Sequence, residues 1–120
     1  MKTFLIDAGN SRVKWVLVED GVWLRQGTLE NAHVEILRGT LAELPPPQRI
    51  LASNVAGEEM AQRLHAVCAI WPCSIELIAA MVEQCGVRNR YQHPAQLGSD
   101  RWAALIAAWQ HERAACLVVT

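Results

Sequence analysis

Residues 3–29 carry the pattern that decides the fold: TFLIDAGNSRVKWVLVEDGVWLRQGTL. Thr3 to Ile6 is short and apolar, and the turn-rich segment Asp7 to Ser11 interrupts it. From Arg12 to Glu19 apolar and polar side chains alternate in part, which is typical of a strand with one buried face. Asp20-Gly21 is a strong hairpin signal, and Val22 to Leu29 reads as a third strand. This segment therefore predicts a three-stranded antiparallel meander.

Helices and strands alternate in the rest of the chain. The patterns predict helices over 31–44, 57–70 and 100–113 and strands over 49–55, 74–79 and 115–120. The second of these helices carries one apolar stripe: Met60, Leu64, Val67, Cys68 and Trp71. Ser99 is the predicted N-cap of the last helix, and the irregular polar loop over 84–99 precedes it. Strands that alternate with helices predict an α/β fold, a mixed sheet with helices against it.

Composition bounds the function. The chain has 120 residues, of which 52% are hydrophobic and 19% charged, with a formal net charge of −1. This mix is typical of one globular domain, and it excludes a basic field for nucleic acid or an anionic membrane. No export signal or bilayer-spanning stretch appears, so we expect a cytoplasmic protein. Its four cysteines match no zinc spacing and are expected to be reduced and mostly buried, and its tryptophans are expected to pack in the core.

A first chemical cluster runs from Asp7 to Lys14, at the turn between the first two predicted strands. Gly9 would let backbone N–H groups approach an anion, and successive N–H groups in a tight turn form an anion-binding nest. Asn10 and Ser11 add side-chain donors, and Lys14 adds a positive charge. Asp7 suits a magnesium ion bound through water. The turn could therefore cradle nucleotide phosphates, although an ordinary hairpin turn would use the same residue types.

A second cluster lies between Tyr91 and Trp102. Asp100 and Arg101 fall in the first turn of a predicted helix, where free N–H groups favour anions and keep a carboxylate ionised. Such a carboxylate can accept a proton from a hydroxyl, and Arg101 can bind a carboxylate or phosphate through two donors. A simply capped helix with a solvated arginine is the alternative. Phosphoryl transfer needs both kinds of cluster, because it needs positioned phosphates and an oriented acceptor hydroxyl.

Both clusters resemble known motifs. The first resembles the initial phosphate-binding motif of type III pantothenate kinases, and the second resembles the substrate motif of that family. The matching patterns are Asp7-x-Gly9-Asn10-Ser11-x-x-Lys14 and Tyr91-x-x-Pro94-x-x-Leu97-Gly98-x-Asp100-Arg101, which Trp102-Ala103-Ala104-Leu105 continues. The resemblance spans all 120 residues, about the first half of a typical member. The second motif is specific, whereas the first is shared across the actin-like ATPase superfamily.

The resemblance implies a fold and an activity. The fold is an acetate- and sugar-kinase or actin-like domain of the ribonuclease-H-like type, with the order β-β-β-α-β-α-β. The activity is ATP-dependent phosphorylation of pantothenate to 4'-phosphopantothenate, the first step of coenzyme A biosynthesis. Members of this family are homodimers that use magnesium and commonly a monovalent cation, potassium or ammonium.

The same resemblance assigns residue roles. Asp100 would be the proton acceptor, and Tyr91, Gly98, Ser99 and Arg101 would bind pantothenate together with it. The ATP phosphates would lie against the whole first cluster: Asp7, Ala8, Gly9, Asn10, Ser11, Arg12, Val13 and Lys14. Asp7 would also hold the magnesium ion.

The chain departs from the family pattern at its last residue. Thr120 stands where many members have an aspartate that binds the monovalent cation, so use of that cation is in doubt. We expect residues 1–120 to be the N-terminal actin-like kinase domain without the second domain. Half a nucleotide cleft excludes water poorly, so the isolated chain is expected to bind ATP weakly and to be inactive.

Two other functions fit parts of the sequence. A non-catalytic regulator like the Bvg accessory factor, or an interaction module with an actin-like fold, would keep the fold without the reaction. A different actin-like sugar or acetate kinase would share the first cluster, but the pattern from Tyr91 to Arg101 argues against it.

Overall fold

The structure, a computed structural model, describes residues 1–113 of the chain. The chain divides into two compact units, of which the first is Met1–Ile78 and the second begins at Ala79. The predicted strand over 115–120, with Cys116 and Thr120, lies outside the described residues. Across the described part of the chain, no helix is both long and apolar enough to cross a membrane.

The first unit is built on a five-stranded mixed sheet. Its strands are β1 (Lys2–Ala8), β2 (Arg12–Glu19), β3 (Val22–Glu30), β4 (Arg49–Asn54) and β5 (Ile75–Leu77). They lie in the order β3-β2-β1-β4-β5, with β1, β2 and β3 antiparallel and with β4 parallel to both β1 and β5. The predicted meander and the mixed sheet are therefore confirmed. β1 lies in the middle of the sheet and ends where the first chemical cluster begins.

The helices of this unit differ in regularity. Residues Asn31–Ile36 form a 3-10 helix, α1 covers only Leu37–Ala42, and α2 covers Glu58–Cys68. The single helix predicted over 31–44 is therefore wrong, since His33 leaves helical geometry at φ −110° and ψ 19°. The apolar stripe predicted for the second helix is confirmed, because all five of its members are buried.

Phe4 lies at the centre of the first core. Its ring stacks on Trp15 at a centroid distance of 5.6 Å and meets Trp71 edge-on at 5.0 Å. The alternation in β2 places Trp15 on the buried face together with Val13 and Leu17, as the sequence predicts. Aromatic contacts of this kind stabilise beyond the area they bury. They join β1 to β2 and to the segment that follows α2.

The β2–β3 hairpin turns at Asp20 and Gly21, both in the left-handed region with φ of 51° and 81°. Two consecutive turn residues with positive φ give the turn a twist that matches the twist of the antiparallel strands. The hairpin predicted at Asp20-Gly21 is therefore confirmed. The strand after it opens with exposed apolar side chains, and Trp23 is 64% exposed. The expectation that the tryptophans pack in the core is wrong for Trp23, because edge strand β3 begins outside the core.

The second unit is small. It holds a two-stranded hairpin of β6 (Glu83–Gln84) and β7 (Val87–Arg88), a 3-10 turn over Pro94–Gln96 and helix α3 (Ser99–Glu112). Among its described residues, Ala80, Leu97 and Trp102 form a buried core. The Trp102 indole N–H donates to Gln84 Oε1 at 2.8 Å, which ties α3 to the hairpin.

Gly86 sits in the turn of that hairpin. Its φ is 82°, and a Cβ built there would lie 2.8 Å from Trp109 Nε1. Both the backbone conformation and the space therefore require glycine. Cys85 shares the turn at φ 53° and is exposed, so the prediction of buried cysteines fails for it. Cys68 is buried as expected, and burial raises the pKa of its thiol to about 12.

Candidate functional site

The turn Gly9 to Ser11 follows directly on β1. The Gly9 N–H donates to Arg12 O at 2.9 Å, which closes the turn. This N–H group is therefore engaged within the turn, and the anion nest stays a prediction that concerns the other backbone N–H groups of the turn. The exposed donors of the turn are the side chains of Asn10 and Ser11, which no hydrogen bond engages within residues 1–113.

Asn31 fastens this turn from the far end of β3. Its side-chain Nδ2 donates to Gly9 O at 2.8 Å, and its backbone N–H donates to Ser11 O at 3.1 Å. Its Oδ1 is buried without a hydrogen-bond partner in the described part of the chain. Sequence reasoning missed Asn31, because a single polar residue between a strand and a helix carries no periodic or motif signal. Its position opposite the turn follows from the β2–β3 register, in which Arg12 pairs with Glu30.

Asp7 and Lys14 are direct cross-strand partners on β1 and β2, and Ser53 on β4 is the neighbour of Asp7 on its other side. Paired positions of adjacent strands lie on the same face of a sheet, so these side chains share one face. Asp7 is exposed, and no ion pair joins it to Lys14 among residues 1–113. The carboxylate and the ammonium group are both available to a ligand.

A cavity of about 610 Å³ lies at this face and at the edge of β3. Five residues provide its polar side chains: Asp7, Arg12, Lys14, Gln26 and Thr28. Gly27 and apolar side chains complete the lining, the latter from Leu5, Ile6, Trp15, Val16 and Trp23. Ala8 and Val13 of the predicted cluster are fully buried on the other face, so they contribute backbone only. The cavity combines two cationic groups and one carboxylate, a set suited to a phosphate with its metal.

No group of three or more histidine, cysteine, aspartate or glutamate side chains in the described residues could enclose a metal ion. A magnesium ion needs no such cage, since it keeps several waters and takes one or two carboxylates together with substrate phosphates. The lone exposed Asp7 in a cavity with two cationic side chains fits that pattern.

Helix α3 begins differently from the prediction. Gly98 is the N-cap, with φ −59° and ψ 142°, and as a glycine it has no side chain with which to cap the helix. The prediction of Ser99 as the N-cap is therefore wrong by one position, because the chain stays extended through Gly98 and turns helical at Ser99. Ser99 is 8% exposed. Ser99 already belongs to the first turn of α3, whereas an N-cap residue lies just before the helix.

Asp100 lies in the first turn of α3, as the sequence predicts, and is exposed. Its Oδ1 accepts a hydrogen bond from the Arg101 backbone N–H at 2.8 Å. Arg101 is exposed as well, and none of the ion pairs among residues 1–113 involves it.

A second cavity, of about 430 Å³, lies within the second unit. Two predicted substrate residues, Tyr91 and Arg101, meet in its lining. Residues that sequence reasoning left without a role line it too: Arg88, Asn89, Arg90, Leu97 and Leu105. Gly98, Ser99 and Asp100 adjoin it in sequence but are not in its lining.

Asn89 shapes the loop around this cavity. It is 8% exposed, its Nδ2 donates to Pro94 O at 3.1 Å, and its Oδ1 accepts the Tyr91 N–H at 3.0 Å. Its own backbone N–H donates to Val82 O at 2.7 Å. One buried amide therefore fixes the backbone that carries Tyr91.

Comparison with known proteins identifies the family of the chain. The family model described as type III pantothenate kinase matches residues 3–120. The chain belongs to this family. A type III pantothenate kinase of Aromatoleum aromaticum is 46% identical over 115 residues, which cover 96% of this chain and 48% of the relative. Another from Nitrosospira multiformis is 46% identical over 114 residues, covering 95% and 44%.

This member of the family spans about half the length of the curated relatives it matches. Among solved structures, an Aquifex aeolicus PPX-GPPA enzyme matches with a TM-score of 0.41 and 12% identity, over 65% of this chain and 36% of that one.

Proposed function

We propose that this protein takes part in the ATP-dependent phosphorylation of pantothenate to 4'-phosphopantothenate, as the family resemblance implies. The observation that carries the proposal is the second cavity, where Tyr91 and Arg101 of the substrate motif line the same space. Arginine binds a carboxylate through two parallel donors, and pantothenate is a carboxylate. The family match over residues 3–120 supports this reading over a non-catalytic regulator and over another actin-like kinase.

The first cavity is the proposed place of the ATP phosphates. Lys14 and Arg12 supply positive charge there, and Asn10 and Ser11 supply exposed donors beside it. Asp7 would hold magnesium, directly or through water, with the phosphates and further water completing the shell. A magnesium ion held there would supply positive charge that offsets the charge of the phosphates.

Asp100 is the proposed acceptor of the proton from the pantothenate hydroxyl. The transition state of phosphoryl transfer is loose in most analyses, so little charge builds on the attacking oxygen and an ordinary aspartate suffices as base. The single hydrogen bond from Arg101 N–H leaves further lone pairs of the Asp100 carboxylate available for a hydroxyl. Gly98 and Ser99, at the start of α3, hold pantothenate together with Arg101 in this proposal.

The wider expectations belong to the same proposal. They are an actin-like domain of the ribonuclease-H-like type over residues 1–120, a homodimer and a cytoplasmic location. Monovalent cation use depends on Thr120, which lies outside the described residues.

The test is a coupled assay of ADP release by the full-length gene product with ATP, magnesium and pantothenate. We expect release that depends on pantothenate, and mass spectrometry should find 4'-phosphopantothenate. The 120-residue chain is assayed in parallel and should bind pantothenate, measured by calorimetry, with little turnover.

Two outcomes would contradict the proposal. A folded full-length product without pantothenate-dependent ADP release would favour the regulator, and release with a sugar or acetate instead would favour the other kinase class. Circular dichroism of each preparation checks that the protein is folded.

A further inference from the structure

The second cavity is lined by more arginines than Arg101, the one arginine that the substrate motif supplies to it. Arg88, Arg90 and Arg101 all line it, and no carboxylate from residues 1–113 is part of its lining. Arg88 and Arg90 are separated by one residue in an extended stretch that begins with β7, a spacing that places two side chains on the same side. Three guanidinium groups around one space of about 430 Å³ repel one another unless an anion lies between them.

Carboxylates of the described residues compensate the positive charge of Arg88 and Arg90 only weakly. Arg88 lies 3.7 Å from Glu83 Oε2, a distance beyond hydrogen bonding, and its side chain is 69% exposed. Arg90 is exposed, and among the described residues no ion pair or side-chain hydrogen bond engages it. A compact chain that gathers free arginines around a cavity is equipped to receive a carboxylate or a phosphate.

The backbone that carries these arginines is held in place. Asn89, between them, is buried and bonded to Val82 and to Pro94, so the segment is fixed before a ligand arrives. Leu97 and Leu105 line the same cavity and offer an apolar surface to the carbon skeleton of a ligand. The cavity therefore suits a small molecule with one charged end and an aliphatic body.

We infer that Arg88 and Arg90 determine specificity for the carboxylate of the substrate, acting together with Arg101. This inference rests on the proposed function, since it assigns the acidic end of pantothenate to the second cavity. Arg90 contributes more than Arg88, because Arg88 shares its charge with Glu83.

The test compares pantothenate with pantothenyl alcohol, which carries the same hydroxyl but no charge. Calorimetry and the ADP assay are run on the full-length gene product and on Arg90→Gln, Arg88→Gln and Arg90→Lys. We expect Arg90→Gln to weaken pantothenate binding and raise its KM about tenfold, the size of one charge-assisted hydrogen bond, with Arg88→Gln less affected. Neither change should alter the values for the alcohol. Arg90→Lys should recover part of the loss, because it keeps the charge.

Arg25→Gln is the matched control, since Arg25 is an exposed arginine on β3 outside both cavities. Equal losses for both ligands in Arg90→Gln and Arg88→Gln, or no loss for either, would overturn the inference. Wild-type protein that binds pantothenate no more tightly than the alcohol would overturn it as well. Selective binding of pantothenate without turnover would instead contradict the proposed function and leave the carboxylate receptor standing.

Discussion

Two loops of this molecule carry its candidate chemistry, and each is fastened by one asparagine. Asn31 holds the turn at Gly9 with two hydrogen bonds, and Asn89 holds the segment before Tyr91 with three. The support behind them differs. The first turn extends from the central strand of a sheet with a core of seventeen buried residues among those described, whereas the second rests on three.

The two loops obtain their geometry in different ways. β1 is bonded on both sides along its length, so the turn that follows it is placed by the sheet before Asn31 adds anything. The loop at Tyr91 has little apolar burial around it and depends on local hydrogen bonds. We expect the second loop to lose its shape more easily, because few buried contacts resist its opening.

The largest expected effect comes from Asp100→Asn. If Asp100 is the base, turnover should fall by about 10²-fold or more, while ATP binding, assigned to the first loop, stays unchanged. Steady-state kinetics and ATP titration measure the two. Asp20→Asn on the β2–β3 hairpin is the matched control and should keep full turnover. Comparable turnover in Asp100→Asn would refute the role of the base and leave the second loop without an assigned catalytic residue.

Next in size is the contrast between the two cores. Phe4→Ala removes a ring that contacts both Trp15 and Trp71 and should cost about 3–5 kcal/mol of unfolding free energy. Leu97→Ala should cost less, about 2 kcal/mol, because its small cluster can collapse around the gap. Urea denaturation measures both. Equal losses of unfolding free energy in the two variants would show that the small core of the second unit stabilises its unit as much as the large core stabilises the first.

A smaller effect separates the two asparagines. Asn31→Ala and Asn89→Ala each remove side-chain hydrogen bonds worth about 1 kcal/mol apiece. We expect the first change to raise KM for ATP alone and the second to raise KM for pantothenate alone. Each variant is the control for the other. If both changes raised both constants, the assignment of one ligand to each loop would be wrong.

The smallest effect is a pH dependence confined to the first unit. Arg63 donates hydrogen bonds to both carboxylate oxygens of Glu35 at 2.7 Å and lowers the pKa of Glu35 from 4.5 to about 2. A lowered folded-state pKa means that this stabilisation is complete above pH 4.5 and is lost as the pH falls toward 2. The pair is exposed, so the effect is small and salt should weaken it. Melting temperatures of the wild type and Glu35→Gln between pH 2 and 6 should converge at the acidic end.

The sequence predicted those parts of the fold that repeat a pattern. Alternation in β2, the stripe of α2 and the Asp20-Gly21 turn each express one local rule, and the structure confirms all three. The single helix predicted over 31–44 is wrong. Its weak apolar pattern does not reveal that the segment begins as a 3-10 helix, which leaves helical geometry at His33. Trp23 and Cys85 were misjudged, since an apolar side chain on an edge strand or in a turn has no core to enter.

The candidate site could be predicted from the sequence only where its residues lie close together along the chain. Asp7, Lys14, Asp100 and Arg101 are recognisable from neighbours a few positions away. Asn31 acts on a turn more than twenty residues earlier in the chain, through the pairing of β2 with β3, and only the register of those strands brings it there. Arg88 and Arg90 belong to the second cavity because α3 folds back beside them, which no local pattern records.

Gly86 has a consequence for which substitutions this protein can accept. Any side chain at that position would need to displace the Trp109 ring and would also force an L-residue into a left-handed backbone. Trp109 lies on α3, the helix that carries Asp100 in its first turn, so a side chain at the hairpin tip would disturb the packing of that helix. We therefore expect this exposed turn to tolerate substitution poorly, although none of the proposed roles in the reaction falls on it.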